Sequence, residues 1–457
     1  MPAEFRPDRR TTLASALALG LGGVLPGAPW IRRRRVGPPD LLLLVGDDIG
    51  WPDLEGDTPM PAFERLRERA LVFRNTFSQP TGSPTAYTIL SGRYPRRDGL
   101  APPLGRWDYY GKAAGELPRV TISPKLLALP RLLKSRGYST ALFGKWNLGA
   151  PDPSPQLRSR TPMRAGFQNW QAGVPTNVDE GGGSGYEDWV RVEDGTERRE
   201  TRHQTLVLRD AFLSWWKSAP APRFAMVSFQ AAHAPFHRTP DELLSIPFQD
   251  IKQPASELEL GGFLRMKAGR RWPDRKRYLG MVQSFTKVAS ELIEATGDAV
   301  TLVTTDNGTP GRVAPVGRNQ TRLKGTCYEG GIHVPLLALG PDIAPGERTT
   351  LSSSVDLFAT LIELAGLDPA ETSGVDSRSL VGAFGADDVA PRAFVYAESA
   401  AERVLRTASA KLRISEDGEE LFRLGPGGHE RRHPTSIEDP KLHAQLRASL
   451  HSLFPTR

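Results

Sequence analysis

The sequence predicts an α/β protein with a large, mostly parallel sheet, helices on both faces, and a small α+β subdomain at the C-terminal end. Three observations lead to this prediction. Short, continuous apolar runs suit strands that are buried on both faces. Helix-like segments alternate with these runs along most of the chain. Several runs end in charged or amide side chains, which is where an open α/β sheet places its ligand site.

The first strand is predicted over residues 41–45, an apolar run followed by Asp47 and Asp48. A helix over 61–70 follows, with proline at its first position. The same alternation predicts later strands over 138–143, 224–229 and 299–303, and helices over 206–216 and 277–295. Residues 149–186, which are rich in Pro, Gly and Arg, are predicted to form a loop.

The pattern changes after about residue 390. Short strands are predicted over 393–398, 410–414 and 419–424, and a helix over 440–453. We therefore expect a main α/β domain over 38–390 and a small subdomain over 391–457.

The N-terminal segment resembles an export signal. Arg9 and Arg10 precede an apolar stretch that ends in small residues near Ala28. This arrangement predicts a signal peptide over residues 1–30, of the twin-arginine type, and a periplasmic or extracellular protein. An uncleaved membrane anchor is the alternative, and no stable membrane span is expected once the signal is removed.

The composition indicates a soluble globular protein that favours anionic partners. Hydrophobic residues make up 39% of the chain, charged residues make up 24%, and the net charge is +7. No basic motif with interleaved aromatic residues occurs, so we expect no nucleic-acid partner. Cys327 is the single cysteine, which excludes an internal disulfide and a cysteine-based zinc site.

Two acidic pairs follow predicted strands. Asp47 and Asp48 follow the first, and Asp306 and Asn307 follow the strand over 299–303. These side chains offer only oxygen donors, which select hard cations, Ca²⁺ ahead of Mg²⁺. The first pair alone could equally be a turn or a helix cap. The second pair favours a metal site at one edge of the sheet.

Four segments, in this order and spacing, resemble the sulfatase family of the alkaline-phosphatase-like superfamily. They are DDIGWPD at 47–53, PTGSPTAYTILSGRYP at 80–95, TDNG at 305–308 and LKGTCYEGGIHVP at 323–335. The resemblance implies the alkaline-phosphatase-type fold, hydrolysis of sulfuric esters, and calcium or magnesium held by the two acidic pairs. It also implies that Lys145, His233 and Lys324 bind the sulfate and protonate the leaving oxygen.

The resemblance fails at the nucleophile. The family's nucleophile is a formylglycine made from Cys or Ser within a Cys-x-Pro-x-Arg pattern, and the alignment places Gly82 there and Ala86 at the arginine. Glycine has no side chain to convert, so no formylglycine is expected. Asn147 also replaces a histidine of the family pattern, and its amide cannot shuttle a proton.

Neighbouring hydroxyls are the remaining candidates for a nucleophile. Thr81 is the alternative placed best for attack, whereas Ser83 is predicted to be a helix N-cap with Pro84 at the first helical position. Cys327 is predicted to be a buried small side chain.

Two functions therefore stay open. One is a divergent sulfuric or phosphoric ester hydrolase with a calcium and anion pocket. The other is a non-catalytic relative that binds sulfated or other anionic ligands. In both, the partner is a small anionic or sulfated substrate or glycan.

Overall fold

The computed structural model describes most of the chain after residue 36. The described residues are 37–98, 100, 122–123, 125–148, 159–259, 261–315, 319–372, 374–385, 392–399, 401–425, 430 and 439–454. The predicted signal peptide over 1–30 lies outside them. Within the described residues, no helix combines the length and the apolar composition that a membrane span needs.

A ten-stranded sheet forms the centre of the fold. Its strands are β1 (Leu41–Gly46), β2 (Leu71–Phe77), β3 (Ser139–Lys145), β4 (Asn169–Val174), β5 (Trp189–Glu193), β6 (Thr196–Glu200), β7 (Arg223–Ser228), β8 (Val300–Thr305), β9 (His333–Leu339) and β10 (Gly346–Ser353). They lie in the order β10-β2-β9-β8-β1-β7-β3-β4-β5-β6. The central strands β8, β1, β7 and β3 are parallel to one another. The strands predicted over 41–45, 138–143, 224–229 and 299–303 are confirmed as these four.

Eleven helices are described. They are α1 (Trp51–Leu54), α2 (Pro61–Arg69), α3 (Gly82–Ser91), α4 (Leu129–Ser135), α5 (Thr161–Ala165), α6 (Gln204–Ser218), α7 (Ala255–Leu258), α8 (Gly262–Thr296), α9 (Glu329–Ile332), α10 (Asp356–Leu364) and α11 (Pro440–Leu453). Side chains of β1 alternate between two hydrophobic cores. Leu42 and Leu44 pack with α1, α2, α6 and α8, whereas Leu41 and Leu43 pack with α3, α4, α5 and α10. This alternation confirms helices on both faces.

The C-terminal region forms a second, antiparallel sheet. Its strands are β11 (Val395–Glu398), β12 (Glu402–Arg406), β13 (Ala410–Ser415) and β14 (Gly418–Arg423). Leu446 and Leu450 of α11 pack on this sheet, and the same core includes Tyr94 and Val355 of the preceding chain. The predicted elements are found here, and β12 is an additional strand.

Two further segments differ from the sequence-based expectations. The described part of 149–186 contains α5 and β4, because Trp170, Ala172 and Val174 supply a buried row that the loop interpretation overlooked. Helix α8 begins at Gly262 rather than 277 and continues through Pro273. Buried residues on both sides of that proline, Ala268 and Tyr278, keep the helix against the core.

Candidate cation and anion site

The candidate site lies where four parallel strands end. Since β8, β1, β7 and β3 are neighbours in the sheet, their carboxyl ends meet at one edge. Asp47 and Asp48 follow β1, Asp306 and Asn307 follow β8, and Lys145 is the last residue of β3. The structure therefore brings the two predicted acidic pairs together.

Direct hydrogen bonds join the two pairs. The Asp48 backbone N–H donates to Asp306 Oδ1 at 3.0 Å, and Asn307 Nδ2 donates to Asp48 Oδ1 at 2.8 Å. All four residues are buried. Asp48 has a backbone φ of 64°, a left-handed conformation that is uncommon outside glycine. Ligand oxygens of Asp47 and Asp48 and a ring nitrogen of His233 lie within 4.8 Å of one another.

These donors fit a hard cation. The carboxylates of Asp47, Asp48 and Asp306 are buried close enough for their charges to interact, and neighbouring like charges need a cation to stay ionised. Asn307 Oδ1 is buried and accepts no hydrogen bond from any residue that the structure describes. An orphaned buried oxygen beside carboxylates is the kind of ligand that Ca²⁺ and Mg²⁺ take in proteins.

Two lysines and a histidine surround the carboxylates. Lys145 Nζ lies 2.6 Å from Asp47 Oδ2, and Lys324 Nζ lies 2.5 Å from Asp48 Oδ1. His233 Nε2 lies 4.0 Å from Asp48 Oδ2. The structure thus brings together the three residues that the sequence predicted for an anion pocket.

Burial and neighbouring charge set the protonation states of the acidic residues. Burial, with the charges of Asp47 and Asp48, raises the pKa of Asp306 well above its usual value. Burial also raises the pKa of Asp48, but the charge of Lys324 and the hydrogen bonds from Lys324 and Asn307 outweigh it and leave that pKa below the usual value. Asp306 is therefore the weak acid of the cluster, and a bound cation would deprotonate it.

The basic residues divide into charged and neutral groups. Burial lowers the pKa of Lys145, but Asp47 outweighs this effect and raises it. Burial, Lys324 and Lys145 lower the pKa of His233, so its ring is neutral. His233 Nδ1 lies 2.8 Å from the Ala234 carbonyl oxygen and must be the N–H donor. Its Nε2 therefore presents a lone pair towards the site.

The predicted nucleophile position lies beside this cluster. Gly82 is the first residue of α3, and Thr81 is its N-cap. A Cβ atom on Gly82 would overlap Asn147 Nδ2 and Asp306 Oδ2. The prediction that Ser83 is the N-cap is wrong, because the helix starts two residues earlier, at Gly82, and Ser83 falls inside its first turn.

The three nearby hydroxyls have different surroundings. Thr85 is buried, and its hydroxyl donates to the Asp306 backbone carbonyl at 2.7 Å, which is a structural role. Ser83 Oγ donates to Asn147 Oδ1 at 3.2 Å. Thr81 is half-buried, and its side chain makes no capping hydrogen bond to the described part of α3. Cys327 is fully buried, as predicted.

Sequence reasoning missed several residues around the site. Asn177 Oδ1 accepts a hydrogen bond from Lys145 Nζ at 3.0 Å. The Tyr186 hydroxyl lies 2.8 Å from the His233 carbonyl oxygen. His203 and His237 pair through their Nε2 atoms at 2.8 Å. These residues follow no motif, so only the tertiary structure could reveal them.

Comparisons with known proteins agree with this geometry. A family model described as Sulfatase matches residues 39–367. The N-acetylgalactosamine-6-sulfatase of Sus scrofa is 28% identical over 410 residues, covering 83% of this chain and 71% of that protein.

Two solved structures share the fold. The crystal structure of Ps i-CgsB in complex with k-i-k-neocarrahexaose has a TM-score of 0.71 at 20% identity, covering 91% of this chain and 92% of that one. A protein in complex with its substrate, D-glucosamine-2-N,6-O-disulfate, has a TM-score of 0.65 at 17% identity, covering 91% and 97%. At these identities, the structural likeness establishes the fold alone.

Proposed function

This chain belongs to the sulfatase family, and we propose that it binds a sulfate monoester, or the similar phosphate monoester, at a cation-assisted pocket that lacks the family's nucleophile. One observation carries the proposal: Asp47, Asp48 and Asp306 converge with Lys145 and Lys324 at a single sheet edge. Binding needs all of these groups, whereas it needs no side chain at position 82.

The charge balance supports an anionic ligand. Asp47, Asp48, Asp306 and Asn307 would hold Ca²⁺ or Mg²⁺, which would supply positive charge at the ester oxygens. The two lysines and a divalent cation carry one more positive charge than the three carboxylates. The loaded pocket would therefore attract an ester monoanion.

The protein's own residues have distinct proposed roles. Lys145 and Lys324 would donate hydrogen bonds to the sulfate oxygens from positions fixed by Asp47 and Asp48. His233 would face the ester as a neutral ring with its Nε2 lone pair, so it must gain a proton before it can protonate a leaving oxygen.

The relatives suggest the class of ligand. The solved neighbours include complexes with a neocarrahexaose and with a disulfated glucosamine. We therefore propose a sulfated sugar as the ligand of this chain. With the export signal predicted over residues 1–30, the protein would meet it in the periplasm or outside the cell.

Ester hydrolysis is the second candidate function. The half-buried hydroxyls of Thr81 and Ser83 at the start of α3 favour it, since they lie beside the position of the missing nucleophile. Gly82 and Ala86 count against ordinary sulfatase chemistry, because no covalent intermediate can form at a glycine. The geometry therefore supports binding ahead of turnover.

The test is to measure binding and turnover in the same samples. Equilibrium binding of 4-nitrophenyl sulfate and 4-nitrophenyl phosphate is followed with Ca²⁺ or with a chelator, together with nitrophenolate release. We expect calcium-dependent binding by wild type, its loss in Asp306→Ala, and wild-type binding by the surface control Asp241→Ala. Absence of binding with calcium would overturn the proposal, and calcium-dependent release would establish the second candidate instead.

A further inference from the structure

A buried carboxylate lies directly behind the cation site. Asp53 is completely buried, and four donors surround its oxygens. Arg275 Nη1 lies 2.6 Å from Oδ1. The Gly50 backbone N–H, the Tyr278 hydroxyl and the Thr309 hydroxyl lie 3.0, 2.8 and 2.5 Å from Oδ2. A buried carboxylate with this many donors is fixed in place.

These donors come from three different parts of the chain. Gly50 belongs to the loop after β1, which carries Asp47 and Asp48. Thr309 belongs to the loop after β8, which carries the second acidic pair. Arg275 and Tyr278 lie on α8, and Arg275 also donates to the Val313 carbonyl oxygen at 3.0 Å. Asp53 therefore joins both ligand loops to one rigid helix.

Asp48 is a residue that needs such support. Its φ of 64° is a left-handed conformation that costs a residue with a Cβ about 1–2 kcal/mol. The Tyr278 hydroxyl lies 2.7 Å from the Asp48 carbonyl oxygen, so its single hydrogen is shared between that oxygen and Asp53. Strained residues persist only where the surrounding structure over-determines them.

We propose that Asp53, Arg275 and Tyr278 form a positioning unit that holds Asp48 in its left-handed conformation and so aims both β1 carboxylates at the cation. The proposal rests on the proposed function, because it assigns these residues a role in the same cation site. In this unit Tyr278 contacts the Asp48 carbonyl oxygen directly, Asp53 accepts from Thr309, and Arg275 acts through Asp53.

The chain offers a matched control for this unit. Asp356 and Arg392 form a second buried ion pair, and the Tyr94 hydroxyl lies 3.3 Å from Arg392 Nη1. Tyr94 and Tyr278 are both almost wholly buried. Tyr94 packs in the core of the C-terminal sheet, away from the ligand loops. Tyr94→Phe therefore removes a comparable hydroxyl without touching Asp48.

The experiment compares Tyr278→Phe with Tyr94→Phe in the full chain. Calcium binding is measured by titration calorimetry, and hydrogen exchange is followed for peptides that contain Asp48 and Thr309. We expect Tyr278→Phe to weaken calcium binding by about 10- to 100-fold, as loss of outer-shell support does at metal sites. Exchange should accelerate in these two loops, and Tyr94→Phe should change neither quantity.

The two readouts separate the possible failures. If wild type binds no calcium, the proposed function fails, and faster exchange in Tyr278→Phe alone still establishes the positioning role. If Tyr278→Phe matches Tyr94→Phe in both calcium affinity and loop exchange, the unit is only structural and the inference is wrong. Asp53→Asn, which keeps the shape and removes the charge, is the second variant and should reproduce the loss.

Discussion

The side-chain amide of Asn147 fills the space into which a side chain on Gly82 would extend. The amide nitrogen and Asp306 Oδ2 both overlap the position of a Cβ atom on Gly82. Ser83 Oγ donates to the amide oxygen and helps to hold it there. The asparagine therefore occupies the volume that the glycine leaves, and the two positions are coupled through this contact.

The first prediction tests this coupling. Gly82→Ala adds a methyl group against Asn147 and Asp306, so we expect a loss of about 1–3 kcal/mol in the free energy of unfolding. Asn147→Ala removes one of the two overlaps. In urea unfolding, the double-mutant cycle should show a favourable coupling of about 1 kcal/mol.

Gly269→Ala is the matched control, because a Cβ there meets no described atom within 4 Å and the residue also lies in a helix. It should be neutral, or stabilising by up to about 1 kcal/mol. A Gly82→Ala protein as stable as Gly269→Ala would show that the space is open after all. Gly82→Cys carries the same Cβ and should not restore sulfatase activity by itself.

The residues of the site that follow a local sequence pattern can be predicted, and those that meet only in the folded chain cannot. The strand ends at Asp48, Lys145 and Asp306 were predictable, because apolar runs are local and parallel strands share a carboxyl edge. Metal chemistry then followed from donor types alone.

The supporting contacts could not be predicted in this way. Asp53 meets Arg275 across 222 residues of sequence and Tyr278 across 225, and no periodicity joins them. The left-handed backbone conformation of Asp48 cannot be predicted from the sequence either, because contacts with neighbouring residues impose it. The start of α3 differs from the prediction because Ser83 and Pro84 are the local signal for a helix start, whereas the helix begins at Gly82.

The second prediction concerns the buried pair of Lys145 and Asp47. Their side chains are 5% and 3% exposed, so Lys145→Met leaves a buried carboxylate without its partner. We expect the free energy of unfolding to fall by about 3–5 kcal/mol in the presence of a chelator. It should recover in part with Ca²⁺, and both values are measured by urea unfolding. Arg238→Met, which breaks an exposed pair, should change stability by less than about 1 kcal/mol. An equally mild effect at Lys145 would contradict the prediction.

The third prediction is a loss of stability in acid that depends on His203 and His237. His203 Nδ1 accepts the Thr205 N–H, so its proton is on Nε2 and donates to His237. Burial and His237 lower the pKa of His203 to about 3, and burial lowers the pKa of His237 to about 4. The folded protein thus binds fewer protons than the unfolded chain below about pH 6.5.

The stabilisation of the fold by neutral His203 and His237 is therefore complete above about pH 6.5 and is lost as the pH falls towards 4. Each histidine contributes a slope of about 1.4 kcal/mol per pH unit in that window. In urea unfolding at several pH values, His237→Phe should lower the slope of the unfolding free energy against pH by the contribution of one histidine. The phenyl ring should still pack against Tyr186. His451→Phe, at an exposed position of α11, should leave the slope unchanged. Identical slopes in both variants would contradict the prediction.

The fourth prediction is that purified protein does not turn over aryl sulfates or phosphates, with or without Ca²⁺, and that its intact mass shows no formylglycine. The reason is geometric. Position 82 carries no attacking atom, and the Thr85 hydroxyl is committed to the Asp306 backbone carbonyl. Only the hydroxyls of Thr81, the N-cap, and Ser83, in the first turn, remain at the start of α3. Thr81→Ala and Ser83→Ala should leave anion binding unchanged. Calcium-dependent release that disappears in Thr81→Ala would identify Thr81 as the nucleophile. Release that survives alanine at 81, 83 and 85 together would place the nucleophile outside the start of α3.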